Sequence, residues 1–282
     1  MFESFAAVVA DYSVIFFDAY GVLKNSAGVL AETPRVLAGL RAQGKQLFVL
    51  TNDASRPPTN MAHGYVDQKH GQLITTDQLV SSGLLATEFL RDKVRTGTVA
   101  YLGPSSAAYF IEAAGLQAQS VAEVVAQGTE ISAIALLDDE GFDWFQDLNR
   151  TLNLARQYNV PLLVANSDLA YPVGTDDQLG IAIGSLANML EAVIGKTFIR
   201  CGKPDPMMFN YAYELARQVD PALDKQGVVM VGDSLNTDIL GANRFGIDTV
   251  LVTSGTTRPS SAPALIEASG IIPTHICASI FT

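Results

Sequence analysis

Apolar residues along this chain come in short runs, each followed closely by a polar cluster. Val14-Ile15-Phe16-Phe17 is a run of strand formers with no polar alternation. That predicts a strand buried on both faces, as in a parallel sheet. Thr33-Pro34 offers a helix start, Val36, Leu37 and Leu40 recur at helical spacing, and Gly44 can stop the helix. Gln46 to Leu50 reads as a second strand that ends at Thr51. Strand, helix, strand opens a βαβ unit, with a right-handed crossover expected. The same alternation returns late in the chain. Pro206 to Val219 predicts a helix, Val228 to Val231 a strand, Leu235 to Phe245 a helix ended by Gly246, and Thr249 to Val252 a strand.

The middle of the chain has an alternation of its own. Strand-like stretches are Val99 to Leu102, Ile131 to Leu137 and Pro161 to Val164; helix-like stretches are Ala107 to Ala114, Trp144 to Tyr158 and Leu186 to Ile194. The predicted class is therefore α/β: residues 1–79 and 200–282 form a doubly wound parallel-sheet core, and residues 80–199 form an α/β unit inserted into it. Each polar cluster falls just past a strand's C-terminal end, where open α/β sheets bind ligands.

Composition narrows the function. A chain of 282 residues buries about 75% of the surface its unfolded form exposes, enough for a core without staples. The two cysteines, Cys201 and Cys277, form no metal or disulfide pattern and suit a reducing cytoplasm. A net charge of -11 opposes nucleic-acid binding, which needs a basic patch. No apolar run approaches the roughly 18 residues of a membrane helix, and no basic segment precedes the apolar start. A soluble, cytoplasmic protein acting on a small molecule is expected.

Four polar segments carry candidate chemistry. Asp18, at a strand end, can act as a nucleophile or ligate a hard cation; a bland loop aspartate is the alternative. Thr51 and Asn52 offer a hydroxyl and an amide for an anion, or simple turn capping. Lys203, stiffened by Pro204 and Pro206, can offset phosphate charge or be a surface lysine. Asp233 and Asp238 flank a helix start, where acids also serve as caps. Other signals carry less. Gly195-Lys196-Thr197 lacks the upstream glycine of a phosphate loop, since position 190 is Leu. Asp138-Asp139-Glu140 reads as a solvated turn, and Trp144 and Phe145 as packing within the inserted unit.

Taken together, Asp18-Ala19-Tyr20-Gly21-Val22-Leu23, Leu50-Thr51-Asn52, Gly202-Lys203-Pro204 and Val231-Gly232-Asp233 with Asp238 resemble the signature set of the haloacid dehalogenase superfamily. The inserted unit is similar to the α/β cap of its NagD-like class IIA branch of sugar and nucleotide phosphatases. The resemblance implies a Rossmann-like core and an aspartyl-phosphate route, with Asp18 as nucleophile and Lys203 beside it. It implies phosphate binding by Thr51, Asn52 and Lys203. It implies Mg²⁺ held by Asp18, the Tyr20 carbonyl and Asp233, with Asp238 helping directly or through water. Asn166-Ser167-Asp168 is similar to an Asn-x-Asp segment near the substrate, which would give Asn166 and Asp168 a substrate role, an Asx turn being the alternative. The implied ligand is a small phosphorylated metabolite, and the cap is the expected contact of a homodimer.

One position departs from the pattern. The family's phosphatases carry a second Asp, the acid–base group, where this chain has Tyr20. A phenol of reference pKa about 10 donates a hydrogen bond at neutral pH but is a poor base. The expectation is a slow or specialised hydrolase. The alternatives are a protein that binds a phospho-ligand without turnover, or a metal-independent 2-haloacid dehalogenase, whose first motif also reads Asp-x-Tyr-Gly.

Overall fold

The computed structural model describes residues 2–25, 27–173 and 178–282. Six parallel strands build one sheet, in the spatial order His275–Cys277, Asp248–Val252, Val228–Gly232, Val14–Phe17, Gln46–Thr51 and Leu79–Ser81. In chain numbering that order is the Rossmann one, with its reversal between the first and fourth strands. The reversal falls between Val14–Phe17 and Val228–Gly232, whose register pairs Phe17 with Val231. Their next residues, Asp18 and the Gly232-Asp233 pair, therefore emerge side by side at the switch point. Every residue of Val14–Phe17 is fully buried, as the unbroken apolar run requires. Truncating Phe17 to Ala would cost about 3–5 kcal/mol.

A second parallel sheet has the order Ile199–Arg200, Leu162–Val164, Ala133–Leu136, Thr98–Leu102 and Gln117–Ser120. Side-chain alternation divides its faces. Ala100, Leu102, Ile134, Leu136, Leu162 and Val164 pack under the helices Val121–Gln127, Trp144–Gln157 and Ile183–Ile194. Val99, Tyr101, Ala133, Ala135 and Leu163 point the other way and join the same apolar cluster as the six-stranded sheet. The passage between sheets runs through the helix Ser82–Phe89, which follows directly on the edge strand Leu79–Ser81; the return follows Ile199–Arg200.

Several elements differ from the sequence reading. The predicted helix Leu235 to Phe245 begins with a wider π-type turn, Leu235–Ile239, before the α-helix Leu240–Phe245. Its start is set by Asp238, whose carboxylate bonds back to the preceding loop. The stretch Ala107 to Ala114 is a 3-10 turn, Ser105–Ala108, leading into the short helix Tyr109–Glu112. Trp144 is 38% exposed and Phe145 82% exposed, so Phe145 is not packed inside the cap. Trp144 stacks on Phe142 at 6.5 Å and donates its indole N–H to the Asp139 carbonyl. No helix among the described residues is long and apolar enough to cross a membrane.

Candidate active site

Asp18 is held one step past its strand by its N–H, which donates to the Val231 carbonyl at 2.8 Å. Lys203 lies 185 positions away in sequence, yet its Nζ donates to Asp18 Oδ1 at 2.5 Å and to Asp238 Oδ1 at 2.7 Å. The lysine is 2% exposed, so the surface-lysine alternative does not hold. Burial alone would drive the proton off this amine; Asp18, Asp238 and Asp168 more than reverse that and push its pKa above the usual lysine range.

Asp233 and Asp238 are both buried. Asp238 Oδ2 accepts the N–H groups of Asp233 at 3.1 Å and Ser234 at 3.0 Å, while Oδ1 accepts Lys203. Both its oxygens are thus engaged in holding the loop and the lysine. Asp233 Oδ2 accepts the Thr256 N–H at 2.6 Å. Gly21, at φ +80, and Gly255 crowd this carboxylate: a Cβ on either would come within 2.1 or 1.8 Å of Oδ2. Only glycine fits there.

Ligand oxygens of Asp18, Asp233 and Asp238 lie within 4.8 Å of one another. Three carboxylates share one ammonium. Burial, followed by the mutual repulsion of these acids, pushes Asp233 and Asp238 well above the ordinary carboxylate range. An all-oxygen, charge-deficient cluster fits a hard divalent cation, which would reverse that shift. Asp18 and Asp233 are the residues with an oxygen to spare for it.

The hydroxyl of Thr51, buried at its strand's end, accepts the Asp53 N–H at 3.2 Å. Asn52 brackets Lys203: its Oδ1 accepts the Lys203 N–H at 2.8 Å and its Nδ2 donates to the Lys203 carbonyl at 3.0 Å. The same Nδ2 donates to Asp168 Oδ1 at 3.1 Å, a contact between the two sheets' domains. Ser106 makes another, donating to the Ser55 carbonyl at 2.6 Å. The inserted part of the chain therefore touches the ends of the core strands beside Lys203. Asn166 Oδ1 accepts the Asp168 N–H at 2.8 Å, an Asx turn that sets Asp168 into the cleft. Burial raises the Asp168 carboxyl to about 6 although Lys203 opposes the rise. Gly184 permits this turn, since a Cβ there would meet the Asp168 carbonyl at 2.5 Å.

Around Tyr20 the structure assembles residues that sequence reasoning did not single out. Lys24 Nζ lies 4.2 Å from the centre of the Tyr20 ring and 5.7 Å from that of buried Tyr65. Arg56 sits beside the Tyr20 hydroxyl, and Asp53 and Asp138 lie near enough for their charge to act on it. Burial, then Asp53, raises the phenol above its usual pKa, so Tyr20 stays protonated at neutral pH.

Of the acidic triplet Glu140 is exposed and Asp138 half-buried, but Asp139 departs from a solvated turn. Asp139 is 8% exposed and accepts the Tyr171 hydroxyl at 2.9 Å. Asp138 accepts the Glu140 N–H at 3.0 Å, and burial pushes its carboxyl up to about 7. Asp139 is buried by neighbours within the inserted unit, Tyr171 and Trp144, which local charge density does not reveal. The signal available for Lys24 and Arg56 was distance along the chain: they follow Tyr20 and Asn52 by only four residues each. Lys196, in the discarded phosphate-loop triplet, donates to the Ala155 and Tyr158 carbonyls after the helix-ending Gly195.

The chain is similar to known proteins over most of its length. Residues 15–117 match the model of haloacid dehalogenase-like hydrolases, and residues 200–281 match a second model described as HAD-hydrolase-like. The chain is similar to chronophin of Bos taurus, at 30% identity over 281 residues, covering 97% of this chain and 92% of that protein. It is also similar to the acid sugar phosphatase of Staphylococcus saprophyticus, at 24% identity with 94% of each chain covered. Among solved structures, a possible sugar phosphatase of the HAD superfamily from Cytophaga hutchinsonii superposes with a TM-score of 0.92 at 45% identity, covering 100% of this chain and 99% of that one. Glycerol phosphate phosphatase from Mycobacterium tuberculosis, in complex with magnesium, has a TM-score of 0.77 at 22% identity, covering 100% of this chain and 78% of that one; this shows likeness of fold alone.

Proposed function

This chain belongs to the haloacid dehalogenase superfamily of hydrolases, in its NagD-like class IIA branch, and on that premise we propose that it is a Mg²⁺-dependent phosphatase of a small phosphorylated metabolite. The observation that carries the reading is Lys203 bonded at once to Asp18 and Asp238, with Asp233 completing the acidic cluster. Relatives named as sugar, glycerol phosphate and phosphoglycolate phosphatases support the substrate class.

In the proposed reaction Asp18 attacks phosphorus and the ester oxygen leaves, giving an aspartyl phosphate; water then attacks that phosphorus and frees Asp18. Lys203 offsets the charge of the phosphoryl oxygens and holds Asp18 in line. Asn52 fixes Lys203 from behind through both its main-chain polar groups. Thr51 ends its strand beside the same pocket. A divalent cation held by Asp18, Asp233 and the Tyr20 carbonyl would supply Lewis-acid stabilisation of the same charge. Tyr20, protonated, donates a hydrogen bond to the leaving oxygen. It cannot take a proton from water, so water activation becomes the slow step. Asp138, a carboxyl with proton affinity near neutrality in the same cluster, is suited to that duty.

The protonated Tyr20 also favours a second reading, binding of a phospho-ligand with little turnover. A panel of phosphate esters assayed with and without Mg²⁺, with binding measured in parallel, separates the two. Mg²⁺-dependent phosphate release is expected. Tight binding with no release would select the second reading, and halide release from a 2-haloacid without metal would select a dehalogenase.

A further inference from the structure

Two cations, Lys24 and Arg56, stand beside Tyr20 with hydrogen-bonding capacity unused. The Lys24 ammonium makes no ion pair or hydrogen bond among the described residues; it lies over the rings of Tyr20 and Tyr65 instead. Arg56 has Asp53 as its ion-pair partner, at a long 3.7 Å. Ser55 holds the other oxygen of that carboxylate, Oδ1, through its N–H at 2.9 Å and its hydroxyl at 2.6 Å, which leaves only Oδ2 facing Arg56. Arg56 Nε is buried with no hydrogen-bond partner. In a chain of net charge -11, two such cations side by side are not a by-product of composition.

We propose that Lys24 and Arg56 form an anion subsite beside the phosphoryl site, so that the preferred substrates are phosphate monoesters whose leaving group carries a second anionic group, a carboxylate or a phosphate. The inference rests on the phosphatase reading above and adds what lies beyond the scissile oxygen. An anion between the two cations would give the buried Arg56 Nε and the Lys24 ammonium the hydrogen-bond partners they lack. The subsite also gives position 20 a role an Asp could not fill. The phenol ring is a neutral platform for the Lys24 ammonium, whereas a carboxylate there would neutralise Lys24 and close the subsite.

The test uses a matched series of esters with the Mg²⁺-loaded protein: phosphoglycolate, ethylene glycol bisphosphate, hydroxyethyl phosphate and phosphoethanolamine. kcat/KM is measured for each, and binding of each to Asp18→Asn is measured by calorimetry. The anionic esters are expected to exceed hydroxyethyl phosphate by about 10-fold or more, the usual worth of a charged hydrogen bond, with phosphoethanolamine last. Lys24→Met and Arg56→Gln are each expected to shrink that ratio by about 10-fold. The two anionic esters show whether carboxylate or phosphate is preferred. The subsite is overturned if the neutral or cationic ester is handled as well as the anionic ones, or if the preference survives both substitutions. Should either variant fail to fold, the ranking by the unmodified protein decides alone. Failure of the phosphatase reading looks different: no ester is turned over, while calorimetry still ranks the four.

Discussion

Asn52 Nδ2 donates to Asp168 Oδ1 at 3.1 Å, joining the end of a core strand to an Asx turn of the inserted domain. The same amide braces the Lys203 main chain, so one side chain links the inserted part of the chain to the loop that carries Lys203. Asn52→Ala removes that bracing and is expected to cost about 1–3 kcal/mol of stability, because buried main-chain groups of Lys203 lose their partner. Asp168→Ala deletes a half-buried acid held above its ordinary pKa and should cost little stability while raising KM. Denaturant unfolding and steady-state kinetics on both variants check this. Equal stability losses would contradict it.

Much of this arrangement was legible in the sequence. Val14–Phe17, Gln46–Thr51 and Val228–Gly232 are buried on both faces and read as unbroken apolar runs, so their following residues, Asp18, Thr51-Asn52 and Asp233, could be placed at one sheet edge. The edge strand Gln117–Ser120 was not legible, because its residues are exposed or half-buried and its composition is polar. Asp139 was misread for a different reason. Charge density is local, whereas the burial of Asp139 comes from residues distant in sequence, such as Tyr171. Lys24 and Arg56 lie in loops, where no periodicity marks a functional side chain.

Asp138 gives a pH test. Its folded-state pKa is raised to about 7 from 3.8, so the folded protein keeps a proton that the unfolded chain releases. The stability this contributes is full below about pH 4 and is lost as pH rises through about 7. Asp138→Asn removes the dependence. The variant's gain in melting temperature over the parent should be larger at pH 8 than at pH 4, and its turnover should fall by about 10²-fold or more. A gain independent of pH would rule out the raised carboxyl.

Metal binding can be read without activity. Mg²⁺ is expected to raise the melting temperature of the parent protein, since it binds the folded cluster and not the unfolded chain. Asp233→Asn relieves the crowding of like charges, so the metal-free variant should melt above the metal-free parent and respond little to Mg²⁺. A full Mg²⁺ response in Asp233→Asn would remove that residue from the metal site.

Position 20 offers a gain-of-function test. Tyr20→Asp supplies the carboxylate missing from the first motif, and turnover of esters with poor leaving groups should rise by about tenfold. The new charge would also pair with Lys24, so any preference for anionic leaving groups should shrink in the same variant. A folded, metal-binding Tyr20→Asp protein with no gain on any ester would reject the missing-base explanation.

The most direct test is of the nucleophile. Rapid acid quench during turnover of the best ester, followed by peptide mass spectrometry, should find one phosphoryl group on the peptide containing Asp18. Asp18→Asn should show neither that phosphoryl group nor turnover, while remaining folded. Undiminished turnover in Asp18→Asn, or turnover of the parent with a phosphoryl group trapped on a different residue, would contradict the account.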